Sequence, residues 1–110
     1  MRRGDVVVIA DRGAGDYAGK PRPAIIVQSD LFEGTGSLVV CPLTTQARDA
    51  QLLRVPVEPS PQLPLQQPSW IMVDKLTAIR RDRVGQVLGR PSDEEMLALS
   101  RSLAVFLGFG

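Results

Sequence analysis

Over most of its length the chain alternates short apolar runs with clusters of turn-forming residues. Asp5–Ala10 (DVVVIA) is short and β-branched, and the turn-rich stretch Asp11–Asp16 follows it, which predicts a strand and a turn. Arg22–Gln28 (RPAIIVQ) reads as a second strand. A Gly-rich polar loop, Ser29–Gly36, leads to a third strand at Ser37–Leu43. These runs lack strict apolar–polar alternation, so both faces of the strands are expected to be covered. Leu52–Val57 alternates weakly and contains Pro56, which removes a ladder donor and predicts an edge strand. Prolines at 56, 59, 61, 64 and 68 then mark a stretch too Pro-rich for a helix and too short for a domain linker. It reads as a long excursion on one barrel edge. Ser69–Val73, Leu76–Ile79 and Val84–Leu88 are further strands, the last two placed around the charged turn Arg80-Arg81-Asp82-Arg83, which reads as a solvated hairpin tip.

The period then changes. Ser92 with Glu95 three residues on forms a capping box, and the acidic residues between favour the positive end of a helix dipole. Met96, Leu99, Leu103 and Phe106 recur at three- and four-residue steps with Leu107 beside them, and Gly108 is a helix stop. About six strands followed by one amphipathic helix predict a mainly β single domain over residues 1–110. Its sheet is strongly bent or closed into a small barrel, with the C-terminal helix packed against it. The helix stripe reads as core or dimer interface, and Trp70 as core.

Composition narrows the chemistry more than the fold. The chain has 110 residues, 13 Lys+Arg against 12 Asp+Glu, and a net charge of +1, so it is not a bulk polycation. It has no histidine and one cysteine. No Ser-His-Asp triad, Cys-His pair or His-pair ribonuclease mechanism can be built from it, and no zinc site either. Catalysis must draw on Arg, Lys, Asp, Glu, Ser, Thr or Tyr. Cys41 in an apolar run fits a reducing cytoplasm. The basic start is followed only by Val6–Ala10 before Asp11, so no signal peptide is expected, and no apolar run approaches bilayer length.

Three segments place small polar groups beside strands: Arg3-Gly4-Asp5-Val6-Val7, Gly15–Asp30, and Val39–Gln46. Lys20 and Arg22 at a strand start can present two cations to a phosphate. Thr44, at the end of another strand, can add a hydroxyl if the two strand ends are neighbours. Arginine suits phosphate because its planar fork donates several hydrogen bonds and stays charged. Taken singly these features are ordinary: strand-start arginines are usually solvated, and Asp16, Tyr17 and a Thr pair usually serve turns.

Taken together, RGDVV, GKPRPAIIVQSD, VVCPLTTQ, SWIMVDKLTAI and a terminal helix ending FLG cover nearly the whole chain in order. The sequence resembles the MazF/PemK-type toxins of bacterial toxin–antitoxin systems. The resemblance implies a compact SH3-like barrel with a C-terminal helix, assembled as a homodimer in the cytoplasm. It implies an endoribonuclease that cuts single-stranded RNA at short sequences without metal or other cofactor. Attack by the RNA's own 2′-hydroxyl would leave a 2′,3′-cyclic phosphate and a 5′-hydroxyl. It places Arg22 and Thr44 in the catalytic site and implies an antitoxin partner with an acidic, partly disordered tail. Asp16, Tyr17, Lys20, Thr45 and Gln46 are the accompanying substrate-binding candidates. Where many relatives carry Asp-Gln in a later strand this chain has Asp74-Lys75, so Lys75 offers RNA a point charge in place of an amide. The CcdB toxins, which poison DNA gyrase, also carry VQSD-like and Ser-Trp-x-Met strand segments, and a gyrase-binding role stays open as the alternative. The arginine is a poor resting base because it stays charged; a carboxylate such as Asp16 is a candidate for that task, which the sequence does not assign.

Overall fold

A computed structural model describes residues 1–11, 20–46 and 51–110. Among them seven strands precede one helix: β1 (Val6–Asp11), β2 (Lys20–Ile26), β3 (Ser37–Thr44), β4 (Arg54–Val57), β5 (Ser69–Met72), β6 (Thr77–Arg80), β7 (Val84–Gly89) and α1 (Asp93–Leu107). The strand order is β4-β5-β3-β2-β1-β7, with β6 also on β3, and every pairing is antiparallel. The edge position of β4 matches the donor lost at Pro56.

β3 is shared. Its first half, Ser37–Val40, pairs with β6. Its end, Leu43–Thr44, pairs with β5. β2 takes the other edge through Ala24↔Pro42, Ile25↔Cys41 and Ile26↔Val40. The sheet therefore bends at β3, and each face acquires its own core. Val6, Ile25, Cys41, Leu43, Val55 and Ile71 share one core with Leu99 and Leu103 of α1. Val7, Ile9, Ala24, Ile26, Leu38 and Val40 fill the other, closed over by Ile79 and Val84. Successive residues of β1 and β2 thus point into opposite cores, which is why the sequence shows runs instead of alternation. Each fully buried Leu or Ile here contributes roughly 2 kcal/mol relative to exposure.

The helix begins as expected. The Glu95 N–H donates to Ser92 Oγ at 3.1 Å and the Ser92 N–H to Glu95 Oε1 at 2.9 Å, while Gly108 closes the helix at φ 90°. Three expectations need correction. β6 and β7 are not a hairpin: β6 joins β3 and β7 joins β1, and a single 3-10 turn at Arg81–Arg83 carries the chain between them. Arg81 is no solvated tip residue either, because its guanidinium donates to the carbonyls of Glu33 and Thr35 and holds the Ser29–Gly36 loop. Trp70 is half-buried, since Ser69 and Ile71 take the core-facing positions of β5. In the helix stripe only Leu99 and Leu103 are buried, with Met96 packed against them. Phe106 and Leu107 stay exposed.

The RGD segment proves to be a clamp between the two ends of the chain. Asp5 is buried; its carboxylate accepts from Arg90 Nη1 at 2.6 Å and from the Arg2 N–H at 2.8 Å. Arg3 donates to the Val27 carbonyl and to Ser100 Oγ at 2.9 Å. Gly4 between them has φ 92° and donates to the Ile26 carbonyl at 2.8 Å, a backbone shape that favours glycine.

Cys41 is fully buried as a free thiol. Burial, reinforced by the Asp74 charge and partly offset by Arg3, pushes its pKa up from 9.0 to about 12. The unfolded thiol ionises first, so its contribution to stability is intact below pH 9 and is lost as pH rises toward 12. Urea unfolding at several pH values above 9 should show stability falling by up to roughly 1 kcal/mol per pH unit from this group. Cys41→Ala should flatten that slope, and an unchanged slope would refute the assignment.

Candidate active site at the strand ends

The register of β2 on β3 decides where the predicted residues meet. Ala24 lies opposite Pro42, and the next position on the same face of each strand is Arg22 on β2 and Thr44 on β3. The two sit side by side on neighbouring strands, where same-face Cβ atoms stand about 5 Å apart. Both line one open cleft of about 440 Å3, together with Pro23, Thr45, Gln46 and Ser69. Arg22 is half-buried, so its stem is fixed by packing.

Thr44 is oriented by the turn that follows it. Its Oγ1 accepts from the Gln46 N–H at 3.2 Å. Turn chemistry and a site role are therefore compatible here: the hydroxyl accepts from its own turn and keeps its proton to donate to a ligand. Thr45 and Gln46 are exposed beside it. Among the described lining residues Arg22 carries the only formal charge and no carboxylate is present. Such a cleft suits an anion.

Lys20 opens β2, two positions before Arg22. Asp16 and Tyr17 lie outside the described residues. Lys75 is not brought to this cleft. It ends the 3-10 turn after β5, and the β5 register places it five positions from Trp70, the partner of Thr44. Two of those steps are strand and three are 3-10 turn, an offset of at most about 13 Å. Its neighbour Asp74 is ion-paired with Arg54. Ser69 was not anticipated; it is buried at the cleft floor and donates to the Gln67 carbonyl at 3.1 Å. A buried serine in a Pro-rich neighbourhood carried no local signal. Among the described residues no three His, Cys, Asp or Glu gather closely enough to hold a metal ion.

The family model for the PemK-like, MazF-like toxin of type II toxin–antitoxin systems matches residues 2–107. The chain belongs to this family. This MazF-like toxin is 45% identical over 108 residues to a protein of Mycolicibacterium smegmatis named probable endoribonuclease MazF, covering 98% of this chain and 97% of that one. Its fold is similar to an endoribonuclease in complex with its cognate antitoxin from a mycobacterial species, at 26% identity and a TM-score of 0.78, covering 100% and 97% of the two chains. It also matches the fold of the Mycobacterium tuberculosis toxin MazF-mt6, at 20% identity and a TM-score of 0.79, covering 96% and 98%. The mainly β architecture with one C-terminal helix is thus that of MazF toxins. No described helix of this MazF-like toxin is long and apolar enough to cross a membrane.

Proposed function

We propose that this toxin is a sequence-specific endoribonuclease that cuts single-stranded RNA through its own 2′-hydroxyl, without a metal ion. The observation that carries this reading is the same-face pairing of Arg22 with Thr44 in a cleft whose described lining has no acid. In the reaction the 2′-oxygen loses its proton and bonds to phosphorus. The bond from phosphorus to the 5′-oxygen breaks, and that oxygen takes a proton. The products are a 2′,3′-cyclic phosphate and a 5′-hydroxyl. Arg22 offsets the charge that builds on the non-bridging oxygens, and Thr44 donates to one of them. Lys20 adds attraction for the strand, and Asp16 is the candidate to take the 2′-proton. Holding the 2′-oxygen in line with the leaving oxygen contributes much of the rate. Two of the relatives named above are endoribonucleases by name, which favours cleavage over gyrase binding.

The partners follow from the same reading. A cognate antitoxin with an acidic, partly disordered tail would inhibit by lying across the cationic cleft. The exposed end of α1, with Val105, Phe106, Leu107 and Phe109, supports a homodimer. The Pro-rich excursion is the weaker interface candidate, because it is bonded into its own chain at Ser60–Leu63 and at Gln62. The cytoplasm is the proposed location.

The deciding experiment is to map RNA ends after incubating total RNA with the purified toxin in EDTA. Cuts at one short sequence, with cyclic-phosphate and 5′-hydroxyl ends, are expected. Intact RNA, or cleavage abolished by EDTA, would overturn the reading. Light scattering on the same preparation should give twice the mass of one chain; the mass of a single chain would remove the homodimer.

A further inference from the structure

A second cleft, of about 400 Å3, adjoins the first and shares Pro23, Thr45 and Ser69 with it. That volume lies at the lower end of pockets that hold a small organic ligand. Pro21, Leu65 and Leu88 give it apolar walls, and the exposed side chains of Gln66 and Gln67 stand at its rim. No charged side chain is among its described lining. The two clefts therefore differ in kind. One presents a guanidinium and hydroxyls; its neighbour presents apolar walls and two amides.

That division matches a nucleotide, whose charge sits on the phosphate and whose base is flat and uncharged. We propose that Gln66 and Gln67 read the base beside the phosphate held by Arg22 and Thr44, making the tip of the Pro-rich excursion a specificity element. This rests on the endoribonuclease reading above. Each glutamine amide carries a donor and an acceptor side by side and can pair with a base edge in two hydrogen bonds. In single-stranded RNA those edges are available because the bases can be splayed out. The apolar walls take the base face out of water.

The loop that carries the amides is held before any ligand arrives. Leu63 is fully buried in the core. The Gln62 carbonyl accepts from the Arg90 N–H at 2.9 Å, and the Leu65 N–H donates to the Leu63 carbonyl at 2.8 Å. At the far end Ser69 Oγ holds the Gln67 carbonyl at 3.1 Å. The backbone is thus tied on both sides of two exposed side chains, an arrangement that lowers the ordering cost of binding.

The test is cleavage of a randomised RNA pool, read by sequencing the cut ends, for the native toxin and for the double variant Gln66→Ala/Gln67→Ala. The native toxin should select a base at each position of its motif. In the double variant, selection at one position next to the cut should relax by about tenfold, the value of a lost two-bond base contact. The other positions should keep their selection. Arg22→Ala should instead slow every sequence alike and leave the motif unaltered. An unchanged motif in the double variant overturns the proposal. So does equal loss of cleavage at all sequences with the circular-dichroism melt unchanged, which would make the amides general binding groups. If the native toxin cuts no RNA, the endoribonuclease reading itself falls.

Discussion

Arg22→Ala is expected to lower kcat/KM for RNA cleavage by about a thousandfold, the scale on which guanidinium and oxyanion donors act in transition states. The reason is positional. Arg22 faces the same side of the sheet as Thr44, in a cleft whose described lining offers no other charged group to stabilise the phosphate oxygens. Arg22→Lys should recover only part of the rate, because an ammonium keeps the charge but not the planar fork. Thr44→Ala should cost less, about ten- to a hundredfold, as it removes one neutral donor. Thr44→Ser should stay close to native because the hydroxyl and its bond from the Gln46 N–H can be kept. The measurement is the cleavage rate of a short RNA that contains the mapped motif, with a thermal melt of each variant beside it. If Arg22→Ala cleaves as fast as the native toxin, the pair is not the site.

Gly89→Ala is expected to destabilise the fold by about 3 kcal/mol, at the upper end of what an overfilled site costs. Gly89 closes β7 where the Pro-rich excursion crosses it. A methyl group there would stand 2.0 Å from the Gln62 carbonyl oxygen and 3.0 Å from Leu63 Cα. Both are backbone atoms, so no side-chain rotation relieves the clash. The excursion must lift, and lifting it withdraws Leu63 from the core and breaks the bond from the Arg90 N–H to Gln62. Urea titration of the variant measures the loss. A change below 1 kcal/mol would mean that the excursion is not seated on β7 as described.

Much of the fold lay in local sequence. Runs such as Val6–Ala10 and Leu38–Leu43 are short, apolar and rich in β-branched residues, and Ser92 with Glu95 marks a helix start locally. What stayed hidden depends on distant partners. Nothing in Leu76–Leu88 tells that β6 joins β3 while β7 joins β1, so adjacent strands around a charged turn read as a hairpin. Trp70 faces outward because its neighbours on β5 face the core, a matter of register that its size does not reveal. The constraint on Gly89 comes from Gln62, far back in the chain. The site divides in the same way. Arg22 and Thr44 stood out as strand-end residues within a recognisable order of segments. Gln66, Gln67 and Ser69 did not, because exposed amides and a buried serine among prolines acquire meaning only when the excursion folds back onto β2 and β5.

The clamp made by Arg3 and Asp5 has a bearing on when this molecule can exist at all. Asp5 is joined to Arg90 and Arg3 to Ser100, separations of 85 and 97 residues. Arg3 and Asp5 therefore wait for residues made much later before their partners are available, and contacts of such long range also slow folding. A chain without α1 lacks one side of its core, so the strand ends that carry Arg22 and Thr44 have no complete scaffold. Chains that stop before Arg90 should therefore lack both the partners of the clamp and the α1 side of the core.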